Sequence, residues 1–268
     1  MRTATGKPSR PRRPGFGTSC HLALAGTLLA LGLAGCATSE HQKQKRDAAN
    51  YNMQLGMAYL DRGNLALAKD KLDRAIKENP EDPNVHSAMA MLQERMGNGE
   101  QADAEFKAAL RLGPRDPDIL NNYAVYLCGA GRSDEGVKSF DEAAHNPLYR
   151  TPEVALTNAG VCLRAAKRDT QAAMSFQQAL QIKPNFAEAA YQLGALDFER
   201  GELGEARDEV DRYLGAFDAT PDLLLLRVRI ARKQGDRLAE ERFGSRLRRD
   251  FPDSAQARGL AGLGRDPG

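Results

Sequence analysis

Asn52-Met53-Gln54-Leu55-Gly56-Met57-Ala58-Tyr59 is the stretch on which the reading of this chain turns. Taken as positions 4 to 11 of a unit beginning at Ala49, it puts Gly63 at position 15, Ala68 at 20, Leu72 at 24, Ala75 at 27 and Pro80 at 32. A step of 34 residues finds Gly97, Ala102, Phe106, Ala109 and Pro114; a second step finds Gly131, Gly136, Phe140 and Ala143. Two extra residues intervene, and the next unit, from Glu153, carries Gly160, Ala172, Phe176, Ala179 and Pro184. A fifth keeps Leu193, Gly194, Gly201 and Ala206, and a weaker sixth keeps Gly235 and Pro252. Self-similarity at a fixed period of this size marks a stacked repeat array rather than a single closed core. Within each unit the small residues let two helices approach, glycine opens the turn between them, and proline ends the second helix. The sixth unit departs from the pattern: Arg227 and Val228 stand at positions 7 and 8 and Gly244 at 24, as suits a repeat that faces water on one side.

The pattern resembles the tetratricopeptide (TPR) repeat over residues 49–254. It implies an all-α, right-handed superhelical solenoid of six helix-turn-helix units at 49–82, 83–116, 117–150, 153–186, 187–220 and 221–254. Residues 255–268, rich in Gly toward their end, read as a disordered tail.

Composition agrees. The chain has 268 residues, no Trp, few Val and Ile, and an abundance of Ala, Leu, Glu, Gln, Arg and Lys, which favour helix. A charged content of 28% excludes a polytopic membrane protein. The formal charge of +2 comes from the N-terminus, where Arg2, Lys7, Arg10, Arg12 and Arg13 precede any carboxylate. The rest of the chain holds 33 basic against 36 acidic side chains, a balance that gives no reason to expect nucleic-acid binding.

Those arginines precede an apolar run, Leu22 to Ala34, too short to span a bilayer comfortably and bounded at its end by small residues. Residues 1–35 therefore read as an export signal. The run closes on Leu33-Ala34-Gly35-Cys36, which resembles the bacterial lipobox; that resemblance implies cleavage before Cys36 and its coupling to diacylglycerol. With Ala37 and no Asp after the cysteine, it further implies an outer-membrane, lipid-anchored protein on the periplasmic face. The polar residues of 36–48 read as a flexible tether.

No residue set suited to catalysis emerges. His21, His41, His86 and His145 lie far apart, and neither a His-Glu-x-x-His nor a Cys-x-x-Cys spacing is present to hold a metal. There is no phosphate-binding glycine loop and no nucleophile elbow. The expectation is a non-enzymatic protein with no metal and no cofactor. Cys128 and Cys162 fall on the first helices of units three and four, where neighbours pack side by side. An oxidised compartment would favour a disulfide between them, and two buried thiols is the alternative.

By likeness to other TPR arrays, a partner peptide would lie in the concave groove lined by the first helix of each unit. The lining positions give Met53, Met57, Leu60, Met91, Asn121, Val125, Val161, Arg164, Tyr191 and Phe198, an apolar, Met-rich surface suited to an amphipathic peptide, with packing between repeats as the alternative for each residue. Arg227, Arg229, Arg232 and Lys233, with Arg246, Arg248 and Arg249, form a basic cluster near the C-terminal end that would face water, an acidic partner or lipid headgroups.

A narrower resemblance rests on Asn121 to Arg132, on the insertion Asn146-Pro147-Leu148-Tyr149-Arg150-Thr151-Pro152, and on Asn158-Ala159-Gly160-Val161-Cys162. With the lipobox and the six units, these look like the PilF/PilW family of type IV pilus biogenesis lipoproteins. The resemblance implies a pilotin: a scaffold that meets a secretin subunit, or another protein of the pilus machinery, through its groove and touches the membrane only through its lipid. It would help the secretin reach the outer membrane and multimerise, and so support twitching motility. The alternative is a general outer-membrane TPR lipoprotein serving envelope protein assembly or recruiting cell-wall enzymes.

Overall fold

In the computed structural model the backbone is described from residue 20 to 263 and the side chains from 40 to 260. The signal at 1–35 falls largely outside that range; the side chains before residue 40, that of Cys36 included, and the segment 264–268 also lie outside the described residues. The described chain runs as α1 (Cys20–Asp61), α2 (Leu65–Glu78), α3 (Pro83–Arg95), α4 (Gly99–Leu112), α5 (Pro117–Gly129), α6 (Ser133–Ala144) and α7 (Pro152–Ala165). It continues as α8 (Asp169–Ile182), α9 (Ala187–Arg200), α10 (Leu203–Ala216), α11 (Pro221–Gln234), α12 (Arg237–Asp250) and α13 (Ala255–Leu263). Each odd helix packs on the even helix after it and on the next odd helix, so the units stack as an all-α solenoid.

Local chemistry starts and stops these helices. Proline occupies the first turn of α3, α5, α7 and α11, where its missing N–H costs nothing. Asp82, Asp116 and Thr220 accept backbone N–H bonds as N-caps just before three of them. Between the two helices of a unit the chain turns through a left-handed residue: Gly63, Gly97, Gly131, Gly201 and Gly235. Unit four makes the same turn with Lys167 at φ 61°.

Inside each unit, position 8 of the first helix meets position 24 of the second, and their sizes are complementary. Gly160 lies against Phe176, so close that a Cβ there would sit 2.4 Å from the ring; Gly56 lies against Leu72 and Gly194 against Val210 in the same way. In unit six the sizes are exchanged, with Val228 facing Gly244. The space this leaves is shared with Leu260 of α13, which packs with Ala257 into the cluster of Val228, Phe243 and Leu247. Residues 255–263 are therefore a helix that closes the C-terminal end of the core, and the expectation of a disordered tail from 255 onward is corrected. The flexible tether is corrected too, since the backbone of 36–48 continues the helix of α1. Its Gln, Lys, Glu and Arg residues are polar but, like its Ala residues, strong helix formers, and no Gly or Pro interrupts them.

The loops between units gather on one edge of the solenoid. Gly113 abuts Pro83, the Asn146 amide donates to the Arg115 carbonyl at 2.7 Å, the Lys183 ammonium meets the Glu153 carboxylate at 2.8 Å, and the Tyr213 hydroxyl donates to the Asn185 carbonyl at 3.2 Å. The turns within units lie on the opposite edge.

Candidate partner groove

The groove is built by α1, α3, α5, α7, α9 and α11, each packed beside the next. Its clearest apolar feature is the pair Val125 and Val161, which occupy the same repeat position on α5 and α7 and remain 44% and 42% exposed. On one side of this pair the Asn158 amide donates to the Asn121 side-chain carbonyl at 3.1 Å. On the other, Arg164 reaches across to α9, donating to Gln192 at 2.9 Å and to Glu199 at 2.5 Å. Further along, Phe198 lies beneath the Arg229 guanidinium at 5.1 Å, a cation–π contact that joins α9 to α11. The site thus offers exposed methyl groups between side-chain amides and a tethered guanidinium, the mixture that seats an amphipathic segment and reads its polar groups.

Not every residue expected in the groove is free to line it. Leu60 is 3% exposed and belongs to the core with Leu72, Met89 and Leu92; it is corrected from groove to packing residue. Met53, Met57 and Met91 are half-buried against that cluster, and Tyr191 and Phe198 against the C-terminal one, each keeping only part of its surface for a partner. Asn158, Gln192, Glu199 and Arg229 complete the polar part of the site, and repeat position does not single them out. The signal for the first two lies one position beyond Asn121 and Tyr191, on the flank where first helices touch.

Beneath the valine pair, Cys128 and Cys162 are joined as a disulfide with Cα atoms 5.6 Å apart. The bond ties α5 to α7 one turn beyond Val125 and directly beside Val161. Gly136 makes room for it, since a Cβ at that position would come within 2.4 Å of Cys128 Sγ. Other units carry Ala68, Ala102, Ala172 and Ala206 at the same place.

Of the basic cluster, Arg229, Arg232, Lys233, Arg248 and Arg249 are exposed, and Arg227 departs from the reading as an open surface. Arg227 is 4% exposed and holds Asp211 with two hydrogen bonds, at 2.6 and 3.1 Å, while its guanidinium stacks on Phe243 at 4.7 Å. It is a packing residue of α11. Opposite in chemistry is Asp197, a buried carboxylate on α9. Burial raises its pKa to about 6, and Glu202, Glu209 and Glu205 push the same way against Arg200.

Comparison with known proteins accounts for this architecture. A family model described as Tetratricopeptide repeat matches residues 59–126 and 163–230. The type IV pilus assembly protein PilF of Pseudomonas aeruginosa is 30% identical over 235 residues, covering 85% of this chain and 93% of that protein. The chain belongs to the PilF/PilW family. A solved structure of Pseudomonas aeruginosa PilF covers 82% of the chain with a TM-score of 0.63 at 27% identity, and is itself covered to 99%. A crystal structure of PilW, described as a widely conserved type IV pilus biogenesis factor, covers 80% with a TM-score of 0.64 at 27% identity, 98% of it being matched. Membership makes the chain a protein-binding TPR scaffold of type IV pilus biogenesis.

Proposed function

We propose that this protein is a lipid-anchored pilotin of the outer membrane, facing the periplasm through Cys36, which binds a secretin subunit in its concave groove and helps it localise and multimerise. The observation that supports this best is the exposed pair Val125 and Val161, held in register by the Cys128–Cys162 bridge and bounded by the Asn121–Asn158 and Arg164–Glu199 contacts. Two methyl-bearing side chains left in water on rigid neighbouring helices favour an apolar segment of a partner over solvent. The Arg164 guanidinium is positioned to exchange one of its two acceptors for a carboxylate of that segment. The chain works by binding alone, without catalysis or a cofactor.

The test is the double variant Val125→Glu/Val161→Glu in the native gene, with unboiled envelope proteins probed for heat-resistant secretin multimers. Two charges in the apolar strip are expected to cut multimers by about tenfold or more while secretin subunits persist, with the variant protein itself present at its normal level. Multimers that assemble normally in the outer membrane of a strain lacking the gene altogether would refute the pilotin role.

A further inference from the structure

Three large apolar side chains stand in water along the edge formed by the inter-unit loops. Leu148 is 83% exposed, Ile182 53% and Leu112 43%. Leu112 closes α4 and Ile182 closes α8, while Leu148 lies between them in the loop after α6, at the repeat position that holds Pro114 and Pro184 in the adjacent units. Leu148 is held outward rather than left loose. Its N–H donates to the Asn146 side-chain carbonyl at 2.9 Å, the Asn146 amide is bound to the Arg115 carbonyl, and the neighbouring Tyr149 is packed into the core.

The same edge carries Arg111, Arg115 and Arg150, all exposed and none with an ion-pair partner among the described residues. Of the carboxylates there, Asp116 caps α5, Glu153 is taken by Lys183, and Asp141 and Glu142 on the last turn of α6 meet His145 and Lys138, while Asp118 stays exposed. An aliphatic row interleaved with free guanidinium groups matches an interface between acyl chains and lipid phosphates. Direction agrees with chemistry. All first helices start at this edge, so the part of α1 before Ala49 projects past it, carrying Lys43, Lys45 and Arg46 in water. Cys36 would lie about 20 Å beyond Ala49 along the helix, at about 1.5 Å per residue. Leu148 lies two units aside, roughly 20 Å at the usual helix spacing. A lean of the array by about half a right angle sets both at one level.

We propose that the inter-unit loop edge of units two to four rests on an anionic bilayer surface, with Leu148 among the headgroups and Arg111, Arg115 and Arg150 on lipid phosphates. The orientation rests on the lipid-anchor reading of Cys36; the surface chemistry stands without it.

Because the chain has no Trp, a single introduced Trp reports its own surroundings. Leu148→Trp is compared with Leu238→Trp, which lies on the opposite edge and is 82% exposed. The full-length chain, purified from whole cells expressing the native gene, is mixed with vesicles of phosphatidylethanolamine and phosphatidylglycerol bearing brominated acyl chains. Flotation after a high-salt wash reads the lipid anchor, and bromine quenching at low salt reads the edge. Quenching of the Leu148→Trp reporter is expected to exceed that of the Leu238→Trp reporter several-fold, and to fall to the control level when Arg111→Glu, Arg115→Glu and Arg150→Glu are added. Flotation with equal, weak quenching of both reporters overturns the edge and leaves the anchor standing. Quenching at the Leu148 position without flotation upholds the edge and refutes the anchor. Absence of both rejects the two together. Ile182→Trp serves as a second reporter on the same terms.

Discussion

Lys167 makes a turn that five other units assign to glycine. A side chain at positive φ costs about 1–2 kcal/mol from the contact of Cβ with the following carbonyl, part of which glycine would return as unfolded-state entropy. Lys167→Gly should therefore raise stability by about 0.5–1 kcal/mol, read as a higher urea midpoint with an unchanged slope. Asp197 is a second residue whose place works against it. Its proton is held more tightly in the folded protein than in the unfolded chain, so the contribution is fully present below about pH 4 and is lost as pH rises through about 6. Asp197→Asn removes the buried charge. The variant should match the parent near pH 4 and exceed it by about 1–2 kcal/mol at pH 8, the shift being discounted for partial solvation. Denaturant titrations at the two pH values check this; equal gaps at both would show that the carboxylate is paired in a way its surroundings do not suggest.

At the level of the elements, α5 and α7 are the pair that matters most, since they carry the valine strip and the disulfide. The bond closes a loop of 34 residues, and loss of it should cost about 3–4 kcal/mol on the chain-entropy account. Cys128→Ser is expected to lower the urea midpoint accordingly and to speed hydrogen exchange in α5 and α7 before the outer helices. The bridge was half legible in sequence, since the repeat put the two cysteines on neighbouring first helices; that Gly136, where most units carry alanine, vacates space beside Cys128 emerges from the structure. What repeat position alone did not disclose was how much of each groove residue stays open. Leu60, Met57 and Met91 have Met89 and Leu92 as neighbours and sink toward them, whereas Val125 and Val161 are flanked by asparagines and remain in water. Exposure here is set by the pair across the helix–helix contact, and a list of single positions does not contain pairs.

For the whole molecule, the repeat was legible because size and turn residues recur together at 34 residues, and each recurrence has a packing reason. The ends were not. An N-terminal extension of charged helix formers reads equally as linker or helix until its neighbours are known, and among the described side chains α13 offers Ala257 and Leu260 as apolar contacts in a stretch with glycines. Its true signal was remote, in the exchange of large and small at Val228 and Gly244 that leaves a space for Leu260 to share. A chain ending at Ser254 should lose about 2–3 kcal/mol from the two buried side chains and fray first in α11 and α12, measured by hydrogen exchange; an unchanged midpoint would make α13 dispensable to the fold. End effects of this kind propagate in a stacked array, because each unit leans on its neighbours alone.

The Cys128–Cys162 bond also sets how the array answers to pulling. A load applied between the two ends of the array would peel units from either end toward the middle. At the bridge the peeling stops releasing chain: the 34-residue span between the cysteines stays looped, withholding roughly 110 Å of extension at full stretch. Oxidised, the protein is a strap with a stitched centre; reduced, it is a longer strap that gives at its valine-lined middle.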